Sequence, residues 1–323
     1  MPKELIHWLV AKQTAQRLAS GPFGPALARC PSGLRLGAVF HDALYYLTGD
    51  QPEGMKQLPH TLHGAHGEDS FALLRAQAAH LHARQDAPLP TAFFVGLASH
   101  IFADVVMHPF VYHHTGNYYD PDPARRTAAI RRHRTLETLM DMVAVGSPEA
   151  ARQQSLRQVV DSLEGPLSLA CPPGILATLA GVDETAAAKA VAAALDTFCT
   201  MQALCRMETL AQLAHGASPF LPAKAREILA LFYAPQLWEQ RKTLEGRIPY
   251  INPASGEAFS ASLSELVDQA AARAAAFCTA QAPSIIHNGA LAEQAPGPSL
   301  DMGLRNTPIT LARHFAPRPL LAD

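Results

Sequence analysis

The chain is short of charge. Only 17% of its 323 residues are Asp, Glu, Lys or Arg, and with histidine neutral the formal net charge is −2. Non-specific nucleic-acid binding needs a basic footprint, and this composition offers none. Paired cysteines are also missing. Cys30, Cys171, Cys199, Cys205 and Cys278 are scattered, odd in number and form no CxxC pair, which fits free thiols in a reducing compartment. The opening stretch lacks the shape of a secretory signal, because His7 interrupts its short apolar run before Lys12. No strand ladder and no internal repeat stands out. The expectation is a cytoplasmic, predominantly α-helical globular protein, with 48% apolar residues to build its core.

One long hydrophobic run remains, residues 91–112. Its length suits a membrane span. His100, Asp104 and His108 at its centre would be costly in a bilayer, so no transmembrane segment is expected and the run reads as a buried helix ending at Pro109. Four residues turn a helix by 400°, so each of these side chains stands about 40° round and about 6 Å along from the last. Imidazole, carboxylate and imidazole therefore share one stripe. Buried, they need a partner, and a metal satisfies all three together.

Histidine is abundant and unevenly placed: 15 in all, 12 of them before residue 134. The chemistry is expected in that half. A first helix over residues 3–19, with Pro2 at its first turn, carries His7. A buried helix over 33–48 contains His41 and Asp42, whose carboxylate either caps a local turn or needs a partner. Residues 49–67 read as a loop bearing His60, His63 and His66, which are either ligands or solvated. A helix follows over 70–84. An aromatic loop over 111–123 holds Tyr112, Tyr118 and Tyr119 and is suited to lining a cleft. A helix over 124–145 places His133 and Glu137 at i and i+4, a spacing that suits either a ligand pair or a surface charge pair, and Asp141 extends that stripe.

Beyond residue 146 the expected helices are 147–163, 184–213, 222–232 and 261–281. A turn-rich loop is expected over 250–257 and a loosely packed tail from 294. The domain reading is a metal-binding helical core, 1–146, with a helical part, 147–323, packed on it or continuous with it.

His7, Asp42, a loop histidine, His100, Asp104, His108, His133 and Glu137 make a nitrogen and oxygen donor set without thiolate. They are too many for one tetrahedral ion, so two or three ions are more economical, with Asp104 able to bridge two. Two ions about 3.5–4 Å apart suit attack on a phosphate ester.

This order of residues resembles the zinc-dependent phospholipase C family, related to the S1/P1 nucleases. It stands here as Ile6-His7-Trp8, Phe40-His41-Asp42, the 60–66 histidines, His100-Ile101-Phe102-Ala103-Asp104, His108-Pro109 and His133-Arg134-Thr135-Leu136-Glu137. The resemblance spans roughly residues 3–145. It implies an all-α, multi-helix bundle, here with additional C-terminal helices, and zinc ions in a cleft between helices. Asp42, His63 or His66, His100 and Asp104 would hold one ion. His108, His133 and Glu137 would hold a second, and His7 with Asp104 a third. Asp42 would also orient or deprotonate the attacking water. Secreted members complete the third site with an N-terminal tryptophan, whereas this chain begins Met-Pro-Lys and carries Trp8 after His7.

The expected activity is zinc-dependent hydrolysis of a phosphodiester, with a phospholipid head group as substrate. The alternatives are an S1/P1-like nuclease or nucleotidase, with bases stacked on Tyr112, Tyr118 or Tyr119, and a non-catalytic metal-binding scaffold. The later helices either close the cleft or make a homo-oligomer.

Overall fold

A computed structural model describes residues 3–84, 86–217 and 220–321. Pro2 lies outside the described residues. The first half contains α1 (Glu4–Arg17), α2 (Gly24–Arg29), α3 (Pro31–Gly37), α4 (Phe40–Ala43), α5 (Glu53–Leu62), α6 (Ala72–Ala83), α7 (Pro88–Thr115) and α8 (Pro123–Val145). Short helices follow: α9 (Pro148–Gln153), α10 (Leu156–Asp161), α11 (Leu167–Ala170) and α12 (Pro173–Ala180). Then come α13 (Glu184–Cys205), α14 (Glu208–Ala217), α15 (Ala223–Leu229) and α16 (Pro235–Trp238). A hairpin, β1 (Ile248–Ile251) and β2 (Ala258–Ala261), precedes α17 (Leu263–Asn288). Among the described residues the fold is all-α apart from that hairpin.

α7 is the axis. Apart from the His100, Asp104 and His108 stripe it is apolar all round, as a helix surrounded by protein should be, and α1, α2, α3, α6, α8 and α17 all pack on it. It is long and apolar enough to cross a membrane, yet 89% of its most apolar window is buried within this fold. One hydrophobic core runs continuously from Leu5 through α7 and α17 to Leu321.

The α3–α7 crossing is unusually close. A Cβ on Gly96 would meet the Leu34 carbonyl oxygen at 2.3 Å, and one on Gly37 would meet that of Phe93 at 2.2 Å. Glycine at both positions lets the backbones touch. The chain then breaks at Ala38–Val39, so the expected helix over 33–48 is α3, α4 and a 3-10 turn at Leu44–Tyr46.

Other elements also depart from expectation. Residues 49–67 contain a helix, α5. Met55, Leu58 and Leu62 bury one face of it, while Pro52, Gly54 and Pro59 hide the pattern. α7 does not end at Pro109 but continues to Thr115. Proline removes the N–H that would bond the Val105 carbonyl, and Gly303, at φ +70°, comes so close to that oxygen that a Cβ would meet it at 2.5 Å. Residues 147–163 form two helices, each capped by its own serine, Ser147 and Ser155. The 184–213 helix breaks between Cys205 and Glu208. Of residues 250–257, Tyr250 and Ile251 belong to β1 and the rest form the turn of the antiparallel hairpin, which pairs Ile248 with Ala261. The tail is not loose where it matters: Leu300 and Met302 are fully buried.

Candidate metal centre

The stripe on α7 exists as the helical spacing requires, with His100, Asp104 and His108 all fully buried. Around its first two members gather Asp42 from α4, His63 from the residue capping α5, and His7 from α1. His100 Nε2 lies 3.2 Å from Asp104 Oδ2 and 3.6 Å from Asp42 Oδ1. His63 Nε2 lies 3.5 Å from Asp42 Oδ1 and 3.7 Å from Asp104 Oδ2. His7 Nε2 lies 3.5 Å from Asp104 Oδ1 and 3.6 Å from Asp42 Oδ2. Two ligands about 2.0–2.1 Å from a tetrahedral ion stand about 3.3 Å apart, so these are the separations of groups converging on a shared cation.

A second group forms one turn further along α7. His108 Nε2 is 3.7 Å from Glu137 Oε1, and His133 Nε2 is 2.9 Å from the same oxygen. Asp42, His63, His100 and Asp104 offer ligand atoms within 4.8 Å of one another, and so do His108, His133 and Glu137.

Three of the imidazoles are held in one tautomer. His63 Nδ1 lies 2.6 Å from the Pro59 carbonyl oxygen, His100 Nδ1 2.9 Å from that of Ala38, and His108 Nδ1 2.8 Å from that of Leu300. A carbonyl oxygen can only accept, so each Nδ1 carries a proton and each Nε2 is the nitrogen left to bind a cation. Those three Nε2 atoms, with both oxygens of Asp104 and Oδ1 of Asp42, are buried without a hydrogen-bond partner among the described residues. Leaving so many buried polar atoms unpaired is costly. A divalent cation satisfies them at once, and a nitrogen and oxygen donor set suits zinc.

The electrostatics agree. Burial lowers His7 to about 4, with neighbouring His100 adding to the shift. Burial also opposes a charge on His100, but Asp104 and Asp42 outweigh it and lift that imidazole to about 9. Asp104, despite its burial, is held well below the usual carboxylate range by His100 and His108. The pocket thus demands positive charge, and an ion there would take the place of the His100 proton. Burial brings His133 down to about 4, so its nitrogen is available as a ligand near neutral pH.

Both groups open onto one cleft of about 460 Å³, lined by Asp42 from the first and His133 and Glu137 from the second. Tyr112, Tyr118 and Tyr119 stand on its wall, with Tyr45, Phe198, Met201 and Leu231 adding apolar surface. A larger cleft, lined by Trp8, Leu9 and Leu27 on another side of α1, includes no member of either ligand group.

Of the loop histidines, His63 joins the first group. His66 does not: α5 ends at Leu62, and His66 falls in the following turn, exposed, its backbone N–H bonded to Glu68. His60 lines the cleft edge-on to Tyr45. Sequence reasoning missed Asp301, whose Oδ1 accepts from Tyr112 at 2.8 Å and lies 3.9 Å from His108 Nδ1. It sits in the tail without periodicity or neighbouring ligands to mark it. His41, beside Asp42, is fully buried and stacks on His100 with ring centroids 4.6 Å apart.

The family model of zinc dependent phospholipase C matches residues 6–165. No curated protein and no solved structure matches the chain. The matched segment includes every member of both ligand groups. Residues 6–165 belong to the zinc dependent phospholipase C family.

Proposed function

We propose that the protein hydrolyses the phosphodiester of a phospholipid head group, using two or three zinc ions. The observation that carries this reading is that both ligand groups open onto one cleft whose remaining wall is largely aromatic and apolar. Asp42, His63, His100 and Asp104 would hold one ion, His108, His133 and Glu137 a second, and His7 with Asp104 and Asp42 a third. Zinc supplies Lewis acidity, polarising the phosphoryl oxygen and making water nucleophilic near neutral pH.

The chain's own side chains supply the rest. Asp42 lines the cleft, which supports the reading that it orients the attacking water and takes its proton. Tyr112, Tyr118 and Tyr119 cover the reacting phosphate and exclude bulk water. Phe198, Met201, Ile228 and Leu231 offer the diacylglycerol portion an apolar seat.

The test is incubation of the zinc-loaded protein with a soluble short-chain phosphatidylcholine and, separately, with single-stranded DNA. Release of diacylglycerol and phosphocholine, lost in Asp42→Asn at zinc concentrations that refill its sites, is the expected result. Cleavage of DNA instead would make the protein an S1/P1-like nuclease. Bound zinc without turnover of either substrate from pH 5 to 9 would make it a metal-binding scaffold.

A further inference from the structure

α8 carries a third member of its stripe, Asp141, one turn beyond Glu137. Asp141 is fully buried but belongs to neither ligand group. It faces the start of α1. Its Oδ1 accepts from the Ile6 N–H at 2.9 Å, and its Oδ2 accepts from the Leu5 N–H at 3.2 Å and from the Tyr233 hydroxyl at 2.8 Å. First-turn N–H groups have no partner inside their own helix, and a carboxylate there also meets the positive end of the helix dipole. Lys3 and Glu4 complete the hold. Lys3 Nζ sits 3.7 Å over the Tyr233 ring and donates to the Leu231 carbonyl at 2.6 Å. Tyr233 Oη is 3.3 Å from Glu4 Oε2.

This hold bears on His7, the residue after Ile6. His63, His100 and His108 each have a carbonyl to fix the ring through Nδ1. His7 has none: neither ring nitrogen has a hydrogen-bond partner among the described residues. Its ring is steered by stacking on His100, with centroids 4.2 Å apart, and by where the backbone of α1 places it.

We propose that Asp141, backed by Tyr233, is a positioning residue for the metal centre, gripping the first turn of α1 so that His7 Nε2 stays aimed between Asp42 and Asp104. The clamp stands in for the missing carbonyl partner. The inference rests on the reading of His7 as a ligand.

The test counts bound ions by mass spectrometry and titrates Co²⁺ into metal-free protein, following its absorption, for wild type, His7→Ala, Asp141→Ala, Tyr233→Phe and the His7→Ala/Asp141→Ala double variant. His7→Ala identifies the His7-dependent ion. Asp141→Ala is expected to weaken that same ion about 10–100-fold, the usual cost of losing a group that orients a ligand. It should spare the His108/His133/Glu137 ion and add nothing in the double variant. Tyr233→Phe, which removes one hydroxyl, should shift the same ion in the same direction by less, and it carries the test if Asp141→Ala does not fold. If His7→Ala removes an ion and neither Asp141→Ala nor Tyr233→Phe weakens it, the clamp is wrong. The same follows if the variants weaken all ions in parallel, the mark of a merely structural residue. If His7→Ala removes no ion, the ligand reading of His7 fails and takes the clamp with it.

Discussion

His108 Nδ1 lies 2.8 Å from the carbonyl oxygen of Leu300, 192 residues further along the chain. The turn that brings Leu300 there also presses Gly303 onto α7 where Pro109 interrupts the hydrogen-bond ladder. Gly303→Ala should therefore be expensive. It adds a Cβ 2.5 Å from the Val105 oxygen at a φ of +70°, which strains the backbone and forces the turn away. We expect a loss of about 1–3 kcal/mol in stability and weaker binding at the His108, His133 and Glu137 group. Denaturant unfolding and metal titration of the variant would check both. Unchanged metal affinity would show that the tail merely passes by.

The two histidines left open by spacing should behave differently. His63→Ala removes a buried Nε2 facing Asp42 and Asp104, whereas His66→Ala alters an exposed turn. The first should reduce affinity for the ion of that group beyond the roughly 100-fold that loss of an outer partner costs. The second should change stability by less than about 0.5 kcal/mol and leave metal content intact. Ion counts for the two purified variants decide the matter, and equal counts would remove His63 from the ligand set.

Metal removal should destabilise the protein. The ligand atoms are buried, and without a cation Asp42 Oδ1 and both oxygens of Asp104 have no hydrogen-bond partner among the described residues. A ligand that binds only the folded state adds about 2.7 kcal/mol at 100 times its Kd. Chelation should lower the melting temperature by several degrees, and added zinc should restore it. A melting curve indifferent to chelator would contradict the proposed centre.

Asp141 gives stability a pH dependence of definite sign. Burial and the neighbouring Glu4 raise its carboxyl from 3.8 to about 7. Below pH 3.8 both folded and unfolded states carry the proton, and the group costs nothing. Between 3.8 and 7 the unfolded state has lost the proton while the folded state still binds it, so stability falls as pH rises. The full cost, roughly 4 kcal/mol at 1.36 per unit, is present above pH 7. Asp141→Asn removes this titration. The melting temperature of the variant relative to wild type should therefore climb from pH 4 to pH 7, and a constant difference would refute the shift.

What the sequence made legible was local. His100, Asp104 and His108 could be read because helical spacing alone sets their stripe, and His133 and Glu137 share a face for the same reason. The all-α class followed from similar periodicities. What failed depended on distant backbone. The break at Ala38 falls where Gly37 crosses Gly96, a contact that spacing within either helix does not show. α5 was hidden because Pro52 and Pro59 are tolerated at its start and within it. Asp301 has no neighbour in sequence that marks it. Its place is set by Tyr112, 189 residues earlier.

The contact between His108 and Leu300 also orders events in time. His133 and Glu137 follow His108 by only a few turns of chain, but Leu300 follows it by 192 residues. At synthesis rates of about 5–20 residues per second, that interval is roughly 10–40 s. Once Glu137 has been made, and for most of that interval, the nascent protein holds the ligand side chains but not the carbonyl that fixes the His108 ring. The second group therefore waits on a backbone segment made long after its own side chains, and secure loading of an ion there would belong after Leu300 has been made.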